Sequence, residues 1–130
     1  MTARSPEDID RLFAERMAAG DVDGVAALYE PHGALLSPEG VATTGPAAIR
    51  GVLARLAAMR PRMTMNLVRV VRTADDLAVA YNDWKLSAVD PEGRPVTMEG
   101  KAVEVSRRQP DGSWLFVLDD PFGRGSCAIG

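Results

Sequence analysis

The chain has 130 residues, of which 46% are hydrophobic and 25% charged, with a net charge of −3. That length fits one domain, 1–130, able to bury about two-thirds of the surface its unfolded chain exposes, and the composition excludes a disordered or fibrous chain. The acidic balance argues against nucleic acid, since the one basic pair, Arg107-Arg108, stands beside a turn; no apolar run approaches the roughly 20 residues that would cross a bilayer, so no membrane role is expected.

Residues 1–4 and 123–130 are expected to be loose ends. Ser5-Pro6-Glu7-Asp8 opens a first helix, with Ser5 as acceptor for an orphan amide and Pro6 at the first helical position. Ile9, Leu12, Phe13 and Met17 form one apolar stripe, and Gly20 ends the helix. Asp21 caps a shorter helix with Val22, Val25, Ala26, Leu28 and Tyr29 on its apolar side. Pro31-His32-Gly33 stops it. Ala34-Leu35-Leu36 reads as a short strand, and Pro38-Glu39-Gly40 as a turn. A third helix opens at Gly45-Pro46, buries Ile49, Leu53, Leu56 and Ala57, and closes at Arg60-Pro61.

The second half changes rhythm. Four strands are predicted over 63–73, 76–90, 95–108 and 113–120, separated by Ala74-Asp75, Asp90-Pro91-Glu92-Gly93 and Gln109-Pro110-Asp111-Gly112. Such short connections force antiparallel neighbours. The fold class is therefore α+β, with N-terminal helices packed on a strongly curved antiparallel sheet. Strands this long must coil, and a coiled sheet closed by a long helix makes a cone with an internal pocket, a cystatin-like roll.

This order of parts resembles the nuclear transport factor 2-like superfamily, which includes ketosteroid isomerases and SnoaL-type polyketide cyclases. The residues that carry the resemblance are Ala19-Gly20-Asp21-Val22-Asp23-Gly24, Leu28-Tyr29, Ala34 to Gly40, Gly45-Pro46-Ala47-Ala48-Ile49-Arg50, and Arg108 to Trp114 continuing through Asp119. It implies a fold more than an activity. The isomerase catalytic set does not carry over. Ser37 stands where those enzymes have an aspartate base, Phe13 where they have a tyrosine donor, and about Lys101 where they have a protonated aspartic acid. Phe13 cannot donate and Ser37 is too weak a base, so ketosteroid isomerisation by that route is not expected.

Alternation along an unbulged last strand places Trp114, Phe116, Leu118 and Asp120 on one face. Three are large and apolar, so Asp120 is expected at the cavity edge as a catalytic acid or base, although a plain strand-end cap is the commoner role for such a residue. Lys101, if inward, could pair with Asp120 and polarise a carbonyl; opposite charges across strands are also common as surface pairs. Ala78, Ala80, Asn82, Trp84 and Leu86 share a face of the second long strand, Asn82 as a polar contact and Trp84 as a wall. Phe13, Met17 and Phe116 complete the substrate-binding set.

His32 alone makes no metal site, and its Pro-His-Gly setting reads as a solvated turn. Cys127 is the single cysteine and can form no internal disulfide. With no signal-peptide core in residues 1–7, the expected location is cytoplasmic. Two functions fit: a cofactor-free proton-transfer enzyme of isomerase, cyclase or dehydratase type, acting on a small, mostly apolar molecule, or a non-catalytic ligand-binding or dimerisation module. A homodimer through the outer sheet face, with Leu77, Val79 and Tyr81 at the contact, is expected because helices can cover only one face.

Overall fold

The computed structural model describes residues 1–125. Three helices and six strands follow in the order α1 (Pro6–Ala18), α2 (Val22–Ala26), β1 (Tyr29–Leu36), β2 (Ala42–Thr44), α3 (Pro46–Ala57), β3 (Arg62–Ala74), β4 (Leu77–Val89), β5 (Pro95–Arg108) and β6 (Trp114–Asp120). The strands make one sheet in the order β2-β1-β6-β5-β4-β3.

Helix α1 forms as its stripe requires. Ile9, Leu12, Phe13 and Met17 are buried, and full burial of such side chains stabilises by about 1.5–3 kcal/mol each. Ser5 occupies the N-cap position without a side-chain cap bond. Asp8 Oδ2 instead accepts the Arg4 N–H at 2.9 Å. Asp21 does cap α2, accepting the Gly24 N–H at 3.0 Å. α3 starts at Pro46 after Gly45, whose φ of 89° favours glycine.

The four-strand meander is present with the predicted turns, and its pairs are antiparallel. The sheet as a whole is mixed. β1 lies parallel to β6, because nearly the whole chain between them serves as the crossover that parallel pairing needs. Pro31-His32-Gly33 does not end a helix. It lies within β1, where the pairing with β6 slips between Tyr29 and Ala34. The segment expected to be a loose N-terminus is held: Ala3 is buried and its carbonyl accepts the Trp114 N–H at 2.9 Å. At the other end, Lys101 N–H donates to Gly125 O and Arg124 N–H to Lys101 O, continuing the sheet contact past β6. Cys127 lies outside the described residues.

Two apolar clusters share the inner face. One joins α1, α2 and α3 to Tyr29, Trp114 and Phe116. The other surrounds Trp84 and includes Leu86, Ala102, Met98 and Phe122. Trp84 lies opposite Gly100 on β5, and a Cβ there would come within 2.8 Å of the indole. The glycine lets the indole lie against the sheet, where its Nε1–H donates to Pro121 O at 2.8 Å.

Candidate functional site

Between α1, α3 and the inner sheet face lies a cavity of about 270 Å³, close to the lower end of ordinary ligand sites. Its walls are apolar: Phe13, Leu53, Met63, Met65, Trp84 and Phe122 among others. Ser37 and Pro38 sit at its edge, and Asn82, Glu104 and Asp119 are its ionisable or amide groups. No Lys, Arg or His side chain lines it.

The regular pairing of β4 explains why Asn82 and Trp84 face inward as the alternation predicts. Phe13 lines the cavity as well. Met17 and Phe116 are buried in the cluster beside it and are not among its lining residues.

Asp120 and Lys101 are elsewhere. On β6, Phe116 pairs with Ser106 and Leu118 with Val105, so Val117 is an extra residue, a β-bulge. The bulge reverses the alternation. Asp119 turns inward, opposite Glu104, while Asp120 stands opposite Val103 on the outer face. Lys101 is exposed on that outer face, opposite Asp83, and Asp83 accepts from Arg124 at 2.8 Å. The expected Asp120–Lys101 pair inside the cavity is therefore not formed, because strand parity places both residues outside.

What the inner face does hold is a buried acidic group drawn from four elements: Asp10 on α1, Tyr29 on β1, Glu104 on β5 and Asp119 on β6. Tyr29 Oη donates to Asp119 Oδ2 at 2.6 Å. Asn82 Nδ2 donates to Glu104 Oε2 at 3.4 Å and to Met65 Sδ at 3.2 Å. Desolvation pushes the Asp119 carboxyl up to about 7. The Tyr29 bond opposes that rise, and the charges of Asp10 and Asp120 add to it. Glu104 is raised well above the carboxylate range, first by desolvation, then by Asp10 and Asp119. Asp10 is raised by desolvation, against a hydrogen bond with Glu104 that lowers it. Tyr29 is raised too, by desolvation and by Asp119, and so stays a donor. Burial and the facing acids favour the protonated form of Glu104, which can donate to Asp10.

Signals for these groups exist in the sequence. Asp10, Phe13 and Met17 are spaced i, i+3 and i+7, and Glu104 interrupts the small inward run Gly100, Ala102, Ser106. Among the described residues, no three His, Cys, Asp or Glu side chains are arranged to hold a metal ion, and no helix is long and apolar enough to cross a membrane.

A SnoaL-like domain model matches residues 9–116. The chain belongs to the SnoaL-like domain family. Solved structures agree at the level of fold. A ketosteroid isomerase-like protein from Erwinia carotovora atroseptica is similar with a TM-score of 0.77 and 19% identity, over 88% of this chain and 89% of that one. An NTF-2-like protein of unknown function from Shewanella oneidensis gives 0.72 and 13%, over 88% and 93%. A protein with a cystatin-like fold from Caulobacter vibrioides gives 0.75 and 13%, over 89% and 84%. No curated protein matches the chain in sequence. This SnoaL-like chain is therefore α+β with helices on one face of a curved mixed sheet, in keeping with the resemblance read from its residues.

Proposed function

We propose that this SnoaL-like domain binds a small, mostly apolar molecule in its cavity and moves a proton on it, as a cofactor-free isomerase, cyclase or dehydratase does, with Asp119 as the acid or base. One observation carries the reading: a carboxyl group buried in an apolar cavity, held by Tyr29 Oη at 2.6 Å, with its pKa brought to about 7. A general base works best when its pKa lies near the working pH. As carboxylate, Asp119 takes a proton from carbon beside a carbonyl, and the C–H electron pair moves toward the carbonyl oxygen. Returned to another position, the same proton completes an isomerisation. Asn82 Nδ2, whose bonds to a sulfur and to Glu104 at 3.4 Å are weak, is the neutral donor most easily recruited to that oxygen. Lys101, exposed on the outer face, takes no part in that contact.

The test is hydrogen exchange on an enolisable bicyclic ketone, 2-tetralone, in D2O, followed by loss of its α-proton NMR signals. Exchange above the buffer rate and proportional to protein concentration is the expected result. Ketone that binds but exchanges no faster than in buffer leaves the chain a ligand-binding module.

A specific feature favours self-association as well. Val71, Val79, Val105 and Leu118 stand in register across β3, β4, β5 and β6 on the outer face, and Val71 is 41% exposed. Tyr81 lies on the same face beneath Arg69 and Arg124, whose cations are 5.8 and 5.4 Å from its ring centre. A second copy laid on this stripe, with Leu77, Val79 and Tyr81 at the contact, would withdraw it from water. Sedimentation should show a dimer that Val79→Glu converts to monomer; a wild-type monomer at high micromolar concentration removes the proposal.

A further inference from the structure

The inner end of the cavity is rich in acceptors that lack donors. Asn82 and Glu104 line it and are 1% and 5% exposed. Among the described residues, Asn82 Oδ1 has no hydrogen-bond partner, and Glu104 Oε1 and the oxygens of Asp10 behind it have none beyond the bond that the two acids can share. A proton that Glu104 shares with Asp10 gives one oxygen of Asp10 a partner. It leaves Asn82 Oδ1 alone, since both bonds of this amide, to Met65 and to Glu104, are made by Nδ2 as donor. Asp119 stands directly opposite Glu104 on the same surface.

A buried acceptor without a partner costs free energy that an incoming N–H or O–H recovers. A ligand that brings another acceptor or a negative charge to this place adds to the cost, since it meets carboxyl groups in an apolar enclosure with no cation lining it. The two edges of the Asn82 amide differ usefully here. Oδ1 can receive a hydroxyl or ammonium of the ligand, while Nδ2 remains available to a carbonyl on the same molecule.

From this geometry we infer that the cavity selects an apolar molecule whose head group carries a hydrogen-bond donor, a hydroxyl or a protonated amine, and rejects a carboxylate of the same shape. This deepens the ligand-site reading and rests on it, but not on the proton-transfer step.

The experiment is calorimetric titration of the full chain with four compounds of one bicyclic shape: tetralin, 2-tetralol, 2-aminotetralin and tetralin-2-carboxylate. At least one of the alcohol and the amine is expected to bind tenfold or more tightly than tetralin, and the carboxylate tenfold or more weakly. The alcohol and amine arms separate a neutral donor from a cationic one. Asn82→Leu, close in volume and without the amide oxygen, should narrow the gap between tetralin and the tighter of the two donors at least fivefold; an unchanged gap counts against the assignment. Tetralin binding as tightly as both donors, or the carboxylate binding as tightly as tetralin, overturns the inference and leaves the ligand site standing. Failure of all four to bind overturns both.

Discussion

Asp119→Asn is expected to lower protein-catalysed exchange of 2-tetralone by about 10²–10⁴-fold, the usual contribution of a positioned general base. The amide is nearly the same shape and still offers an oxygen to Tyr29 Oη, so folding should persist and circular dichroism should be unchanged. The wild-type rate should rise with pH through about 7 and then level off, because the carboxylate is the active form and Asp119 ionises there. Tyr29→Phe removes a bond that favours the carboxylate, so the midpoint should move to higher pH. Asp120→Asn should leave the plateau within about twofold of wild type, since that carboxyl lies on the outer face. Its charge helps to raise Asp119, so the midpoint should move slightly to lower pH. Full activity in Asp119→Asn, or a large loss in Asp120→Asn alone, would show that the inward carboxylate is not the proton carrier.

That contrast between neighbouring aspartates shows where the sequence could be read and where it could not. β4 and β5 pair without a slip, so alternation placed Asn82 and Trp84 on one inward face, and turn residues such as Asp90-Pro91-Glu92-Gly93 set the strand limits closely. On β6 the same rule misplaces every residue after Val117, because one bulge changes the parity and nothing in Leu115 to Leu118 announces it. Pro31-His32-Gly33 has the residues of a turn, yet Tyr29 before it and Ala34-Leu35 after it both pair with β6, so it is carried within β1 as an irregularity. β2, three residues long, is too short to show a period. Asp10 was hidden differently: its spacing to Phe13 and Met17 fits the buried stripe, but a charged residue at such a place is ordinarily assigned to solvent.

The same buried acids should make this domain less stable at neutral pH than in mild acid. For an acid whose pKa is raised on folding, the native state holds more protons than the unfolded chain between the two pKa values. Stability from that group is complete below its unfolded pKa and is lost as pH rises through the folded one. Asp119 rises from 3.8 to about 7, so it alone lets stability fall by up to about 4 kcal/mol over that interval, at about 1.4 kcal/mol per pH unit. Glu104 and Asp10 shift in the same direction, Glu104 far enough that it stays protonated longer. The exposed acids Glu7, Asp8, Asp23 and Asp111 shift the other way, but they are solvent-screened and act at more acidic pH. Urea midpoints should therefore be highest near about pH 4–5 and decline toward pH 8. Asp119→Asn should flatten the decline through pH 7, and Glu104→Gln should gain stability relative to wild type as pH rises further. Midpoints that climb from pH 5 to 8 in the wild type would mean that these carboxyls are hydrated or paired with a cation, and the enclosed acidic end of the cavity would no longer be a tenable description of the site.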